Sequence, residues 1–521
     1  MERDRLLTLV IVKLDTLIHR QLNLVLHHPQ FQQLEASWRG VALLVQSKEH
    51  SKRIIIRLLS VTLKEIARDL SHAIEFDQSH LFQKLYCAEY DTPGGEPYSL
   101  LLADYYFYDV MMSHNKMNYS KATHSPTNHG QTTHSKATHG QTNHSQPTHD
   151  QTNHGQTTHS KATHGQTNHG QTNHSQTNHS EVKTVMTTSP PQEDVMTHYS
   201  VSDEQWLLET ACHMSTDTLL ALSQIAAAAF APLITSVDAK LFGLDSFRDI
   251  KPTFRFEQIL RQYPKWQQLR LQQDSRFLGL TVSRVLLRQA HGTYEKRHKE
   301  ADYLWGNPIY AYGTIAIQSF QQTGWFDGMR GIAKRPYDFG AIYQTPVRQK
   351  ILGHYDECWQ RLVFESYFTD SMEKQLSDLG FIVFKDQPQM NRAILFHNQS
   401  YYLSQPQNSR EDHRIDNMLH YLFCVCRFAH YVKIMMRNKI GSFLTADACE
   451  RFLQRWLLNY TVDHKDGASL EKIVRPLRSA RVKLSEKFGV SGHYHCLMYL
   501  QPHYQLEGFH AELCLETHID Y

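Results

Sequence analysis

Between about Ser113 and Ser200 the chain stops reading as a folded protein, and the rest must be assembled around that stretch. Histidine returns there every fifth residue, at His124, His129, His134, His139, His144 and on to His179, in a unit H-G/S-Q-T-N/T with variants such as HSKAT. Apolar side chains nearly vanish, so burial cannot offset the entropy of ordering the segment. Five residues advance an α-helix by about 500°, which leaves successive histidines about 140° apart. In a strand they alternate faces. Neither geometry gathers the imidazoles on one side, and the spacing predicts a disordered insert over residues 113–200. A flexible chain of that length spans about 50 Å, and closing it costs only ~2–3 kcal/mol more than closing a short loop. The insert must therefore leave the fold at a surface. It divides the chain into an N-terminal α/β part (1–112), a main core (201–475) and a C-terminal tail (476–521).

Three readings of the tract stand side by side. Neutral imidazoles at His124, His129, His134, His139 and His144 are candidate ligands for Zn²⁺, Ni²⁺ or Cu²⁺. The same rings would charge below about pH 6.5 and form a pH-sensitive brush. The third is an expanded repeat without selected chemistry. The Asn-His-Ser sequons at Asn143, Asn173 and Asn178 are then by-products of the repeat in a cytosolic chain.

Outside the tract the composition is that of a globular protein. Apolar residues make up 41% and charged ones 20%, enough for a sizeable core. The 54 basic and 52 acidic residues leave a net charge of +2, which gives no pull toward nucleic acid or an anionic membrane. The eight cysteines are scattered and form no CxxC pair, as in a cytosolic chain. Leu6–Val12 is too short and wrongly flanked for a signal peptide or a span, and Leu219–Ile234 is broken by Ser223, Gln224 and Pro232. No GxxxxGK[ST], HExxH, GxSxG or GxGxxG occurs, and no carboxylates form a recognisable acid/base pair. His493 and His495 share a strand face without a carboxylate or cysteine at a metal-binding spacing. The expectation is a non-enzymatic chain with no cofactor and no membrane insertion.

The folded parts alternate helices and strands. Leu7, Val10, Ile11, Leu14, Leu17, Ile18, Leu22 and Val25 have helical spacing. A second helix carries Phe31, Leu34, Trp38, Val41 and Val45, with Glu35 and Arg39 reading as a buried pair. Ile54–Ser60 predicts a strand buried on both faces, Thr62 caps a helix with Glu65 three residues on, and Leu100–Tyr108 predicts another buried strand. Later helices are expected over Thr218–Phe230, Phe256–Gln272 and Asp416–Lys439, and around Trp456, with Arg276–Leu280 extended. The fold class is α/β to α+β. In the tail, Val482 and Leu484 alternate with charged residues, Tyr494–Leu500 is apolar on both faces, and Phe509, Leu513 and Leu515 alternate again. This predicts a small antiparallel meander at 476–521, whose open edges invite a strand from another chain.

Several blocks, in order, resemble one family. They are LHHPQFQQLEASWRG (Leu26–Gly40), EFDQSHLF (Glu75–Phe82), TPGGEP (Thr92–Pro97), LFGLDSF (Leu241–Phe247), LWGNPIYAYG (Leu304–Gly313), KQLSDLGFI (Lys374–Ile382), RFAHYVK (Arg427–Lys433), NKIGSF (Asn438–Phe443) and YLQPHYQLEG (Tyr499–Gly508). Together they look like the large subunit of the type VI secretion contractile sheath, the TssC/VipB family. The resemblance implies a multi-layer sheath-subunit core and a heterodimer with the small sheath subunit. It further implies self-association in a helical sleeve around an inner tube protein, attachment to a baseplate, and work in the cytoplasm of a Gram-negative cell. Contraction of the sleeve would drive effector delivery without nucleotide hydrolysis by this chain. It also implies that terminal strands are shared between subunits, which points to Val482, Leu484, Tyr494, Cys496, Met498, Phe509, Leu513 and Leu515 as inter-subunit strand residues. Two departures stand out. The chain begins almost at the LDxxI-like helix (Leu14–Ile18), where family members carry a longer extension that supplies a linking strand and a binding helix for a AAA+ recycling ATPase, which puts both functions in doubt for this chain. The histidine tract replaces a short loop. A divergent paralogue that modulates or caps assembly, and a cytosolic metal-binding protein, remain the alternatives.

Overall fold

A computed structural model describes residues 2–49, 51–108, 215–251, 253–261, 263–290, 303–331, 340–343, 346, 348–351, 359–404, 417–438, 445–462, 475–486, 494–503 and 513–519. The candidate metal positions His124, His129, His134, His139 and His144 lie outside these residues, as do His493 and Phe509.

The chain starts with two helices, α1 (Glu2–Leu26) and α2 (Pro29–Lys48), broken where the sequence reads His27-His28-Pro29. Proline suits the first turn of a helix because its missing N–H has no intrahelical acceptor there. α2 buries Gly40, Leu43, Leu44 and Ser47. A Cβ on Gly40 would stand 2.2 Å from the ring of Tyr310, so only glycine lets α2 approach that closely. The inner face therefore differs from the expected one: Phe31, Leu34, Trp38 and Val45 are exposed.

Ile54–Ser60 does not form the strand its composition predicts. It joins no ladder among the described residues, and Ile55, Leu58 and Leu59 are exposed. Its anchors come from side chains instead. Arg57 pairs with Glu89 and donates to Tyr98 Oη at 3.2 Å, and Val61 O accepts from Tyr105 Oη at 2.5 Å. α3 (Leu63–His72) follows a complete capping box: Thr62 N donates to Glu65 Oε2 at 2.7 Å, and Glu65 N donates back to Thr62 Oγ1 at 3.3 Å.

Short helical turns over residues 76–90 lead to β1 (Leu101–Phe107). Beyond the tract come α4 (Thr216–Ala228), β2 (Leu233–Val237), α5 (Phe256–Leu260), α6 (Pro264–Leu271), β3 (Leu278–Thr281), β4 (Val285–Arg288), β5 (Leu304–Gly306) and α7 (Ile309–Thr323). Next are β6 (Ala341–Ile342), β7 (Arg348–Ile351), β8 (Trp359–Leu362), α8 (Asp370–Asp378), β9 (Phe381–Ile382), β10 (Phe384–Gln387) and β11 (Arg392–Leu395). The chain ends with α9 (Leu419–Arg437), α10 (Ala446–Leu458), β12 (Leu477–Glu486), β13 (Tyr494–Pro502) and β14 (Leu513–Ile519). The single helix expected over 256–272 is two helices. Pro264 opens the second and leaves Tyr263 extended, because the residue before a proline is pushed out of helical geometry.

The central sheet is parallel, in the order β1-β2-β3-β9, and so draws strands from both sides of the histidine tract. β2 and β3 are buried along their whole lengths, as expected of strands covered on both faces. Aromatic rings fill the core beside them: Trp266 stacks on Phe107 at 4.9 Å and leans on Tyr401 at 4.5 Å. Gly279 in β3 lets Leu419, the first residue of α9, reach the sheet, since a Cβ there would meet Leu419 Cδ1 at 2.9 Å. Antiparallel pieces surround this core. They are β10-β11-β6, β4-β5, β7-β8 and the terminal sheet β12-β13-β14. The mixture places the chain in the α/β to α+β class.

Candidate assembly surfaces

Two regions stand out: the N-terminal helix, which leaves apolar side chains uncovered, and the C-terminal sheet, whose β12 edge is engaged by side chains.

α1 is exposed over almost its entire length. Leu6, Leu7, Leu9, Val10, Ile11, Val12, Leu14, Leu17, Ile18 and Leu24 are each about half exposed or more. The sequence periodicity was legible, but in a helix packed on its own core such a stripe would be covered. Glu35, expected to form a buried pair with Arg39, is itself largely buried while Arg39 is half exposed. Its buried partner is Arg288 of β4, with Nε 2.9 Å from Glu35 Oε1. That ion pair fixes α2 to the β4–β5 hairpin.

β12, β13 and β14 run antiparallel in chain order, with Val482 opposite Met498, Leu484 opposite Cys496, Leu500 opposite Leu513 and Met498 opposite Leu515. Five residues expected at a shared sheet, Val482, Leu484, Tyr494, Cys496 and Met498, have their side chains in the chain's own core. Burial pushes the Cys496 thiol up to about 12, with the charge of Glu450 adding to the shift. The exposed side chains of β12 are Ser479, Arg481, Lys483 and Ser485.

The outer edge of β12 is occupied by the chain itself. Gln454 of α10 donates from Nε2 to Ala480 O at 2.9 Å and accepts from Val482 N at 3.0 Å. Glu450, one turn earlier, accepts from Leu484 N at 2.9 Å. At the start of the strand, Leu477 N donates to Tyr460 O at 3.1 Å and Val462 N donates to Leu477 O at 2.9 Å. Sequence reasoning missed these contacts. The available signal was the i, i+4 spacing of Glu450 and Gln454 beside the buried stripe Cys449, Leu453 and Leu457.

The RFAHYVK block also has a physical explanation. α9 supplies donors to the C-terminal ends of three other helical segments, where carbonyls lack intrahelical partners. Arg427 donates to Gly324 O after α7, and its guanidinium lies 4.7 Å from the Trp325 ring centroid. His430 Nε2 is 3.0 Å from Phe230 O and 3.3 Å from Ala229 O after α4. Arg437 Nη1 donates to Glu89 O, Tyr90 O and Thr92 O at 3.1, 3.0 and 2.9 Å. Burial holds the His430 imidazole down at about 4, so it is neutral and its Nε2–H is the donor.

Among the described residues no group of three or more His, Cys, Asp or Glu could hold a metal ion, and no helix is long and apolar enough to cross a membrane. The Pro93-Gly94-Gly95-Glu96 stretch is a turn closed by Gly95 N to Thr92 O at 3.0 Å, with Gly94 at φ 83°.

A family profile for the EvpB/VipB tail sheath N-terminal domain matches residues 8–146 and 191–402, and one for the tail sheath gpW/gp25-like domain matches 408–519. The chain belongs to the TssC/VipB family of type VI secretion sheath proteins. This sheath protein is 28% identical over 531 residues to the type VI secretion system sheath protein TssC1 of Pseudomonas aeruginosa, an alignment covering 97% of this chain and 84% of that one. Among solved structures, a chain of the anti-feeding prophage baseplate overlaps 59% of the sheath protein and 63% of its own length, with TM-score 0.28 and 8% identity. A sheath tail protein from Listeria innocua overlaps 62% and 54%, with TM-score 0.28 and 6% identity. Residues 147–190 of the histidine tract lie between the two stretches of the N-terminal family match.

Proposed function

We propose that this chain is the large subunit of a type VI contractile sheath. It would pair with the small sheath subunit, polymerise as a helical sleeve around an inner tube on a baseplate, and deliver effectors by contraction in the cytoplasm. The observation that carries this reading beyond family membership is the exposed apolar surface of α1. Leu7, Val10, Leu14, Leu17 and Leu24 recur at alternating steps of three and four, interrupted by Gln21, which is the pattern of a coiled-coil seam. A stripe of that size left in water marks an interaction site, and a helix of the small subunit fits it. Ile55, Leu58 and Leu59 extend the apolar surface that a partner would cover.

The test is co-purification. Replacing Leu14 and Ile18 by Asp should leave the melting temperature of the isolated chain unchanged, because α1 adds little to its core, while abolishing capture of the co-expressed small sheath subunit. Undiminished capture would refute the assignment of α1.

A further inference from the structure

We infer that Glu450 and Gln454 make the C-terminal sheet one-sided by closing the β12 edge to strand addition. The inference rests on the sheath reading and deepens it by naming which edge of the sheet is not offered to another protomer. The groups that α10 takes are those a fourth strand would need. Ala480, Val482 and Leu484 alternate along β12 with their backbone groups on the outer edge, and of these groups α10 engages Ala480 O, Val482 N and Leu484 N. The Gln454 carboxamide has one donor side and one acceptor side, and it uses both, holding the C=O of one residue and the N–H of the residue two further on. One residue of a parallel neighbouring strand would take that same pair of groups. Glu450 continues the cover by one more pair of residues. Tyr460 and Val462 extend it to Leu477 with the parallel bridge Thr461↔Leu477.

The edge is thus engaged at intervals from Leu477 to Leu484 by α10 and by the Tyr460–Val462 segment. Side chains form this cover where it crosses α10, so a substitution can remove it without touching the ladder. An uncovered edge is a template for another chain. Opened here, the β12 edges of two copies can meet antiparallel around a two-fold axis. The charges of Arg481 and Lys483 oppose that approach, and the two α10 side chains block it.

The test uses the full chain with Glu450→Met and Gln454→Met together, which keeps side-chain length and removes the hydrogen-bonding groups. We expect amide exchange at Val482 and Leu484 to speed up about tenfold, and reversible self-association by sedimentation at concentrations where the parent chain shows none. Glu450→Gln alone retains an acceptor and should behave as the parent. If the double variant fails to fold, Gln454→Met alone carries the same two readouts at Val482. Unchanged exchange, or faster exchange with no added self-association, would overturn the inference. Both readouts concern the isolated chain, so failure of the small subunit to bind would count against the sheath reading and not against this one.

Discussion

Arg288 Nε lies 2.9 Å from Glu35 Oε1 although 253 residues separate them, and both side chains are almost fully buried. One ion pair therefore ties together segments from either side of the histidine tract. Removing one partner of such a pair leaves the other charge uncompensated, which costs about 3–5 kcal/mol. Glu35→Gln should lower the unfolding free energy by an amount in that range, and Arg39→Ala, on the exposed side of Glu35, by under about 1 kcal/mol. Denaturant titrations of the two variants check the contrast.

Gly40 predicts an overpacking cost. The ring of Tyr310 cannot swing away, because its hydroxyl donates to Asp104 Oδ2 at 2.7 Å and Ser37 holds the same oxygen at 2.5 Å. Gly40→Ala should destabilise the protein by about 1–3 kcal/mol, despite the better helix propensity of alanine. Combining it with Tyr310→Leu should recover part of the loss, read by thermal melting.

Two buried groups give opposite pH dependences. The neutral His430 has a folded-state value near 4, below the ordinary 6.5, so its contribution is complete above pH 6.5 and is lost as pH falls toward 4. Asp386 is pushed up to about 7 by burial, offset in part by the donors Val363 N and Phe364 N at 3.0 and 3.1 Å. Its carboxyl favours the fold below about pH 4, and that advantage is lost as pH rises through 7. Asp386→Asn should remove a fall in stability between pH 4 and 7, and His430→Gln should remove a rise over pH 4 to 6.5. Melting curves across pH 4 to 8 separate the two signs.

Deleting residues 113–200 should leave the fold intact, because β1 ends before the tract and its ladder partner β2 begins after it. The melting temperature should change little, and strong binding of Ni²⁺ or Zn²⁺ by titration calorimetry should disappear with the tract if its histidines are ligands. Equal metal binding by parent and deletion would remove the metal role.

What the sequence made legible was local. The Thr62–Glu65 box and the helix around Trp456 depend on neighbours within one turn, and the structure has them. Burial was less legible, because it depends on which surface arrives. α1 has the periodicity of a packed helix and is exposed. Ile54–Ser60 has the composition of a central strand, but Arg57 draws it toward Glu89 and no strand pairs with it among the described residues. Val482, Leu484, Tyr494, Cys496 and Met498 show the alternation of a strand with a buried face, and their side chains pack in the chain's own core; alternation marks the buried face and says nothing of which strand joins the sheet edge. The cover of the β12 edge by Gln454 and Glu450 joins residues 26 to 34 positions apart and leaves no periodic trace.

The most direct measurement is electron microscopy of the chain co-expressed with the small sheath subunit. Hollow helical tubes containing both proteins are the predicted result. Two proteins that purify apart, with neither tubes nor rings, would contradict the sheath account.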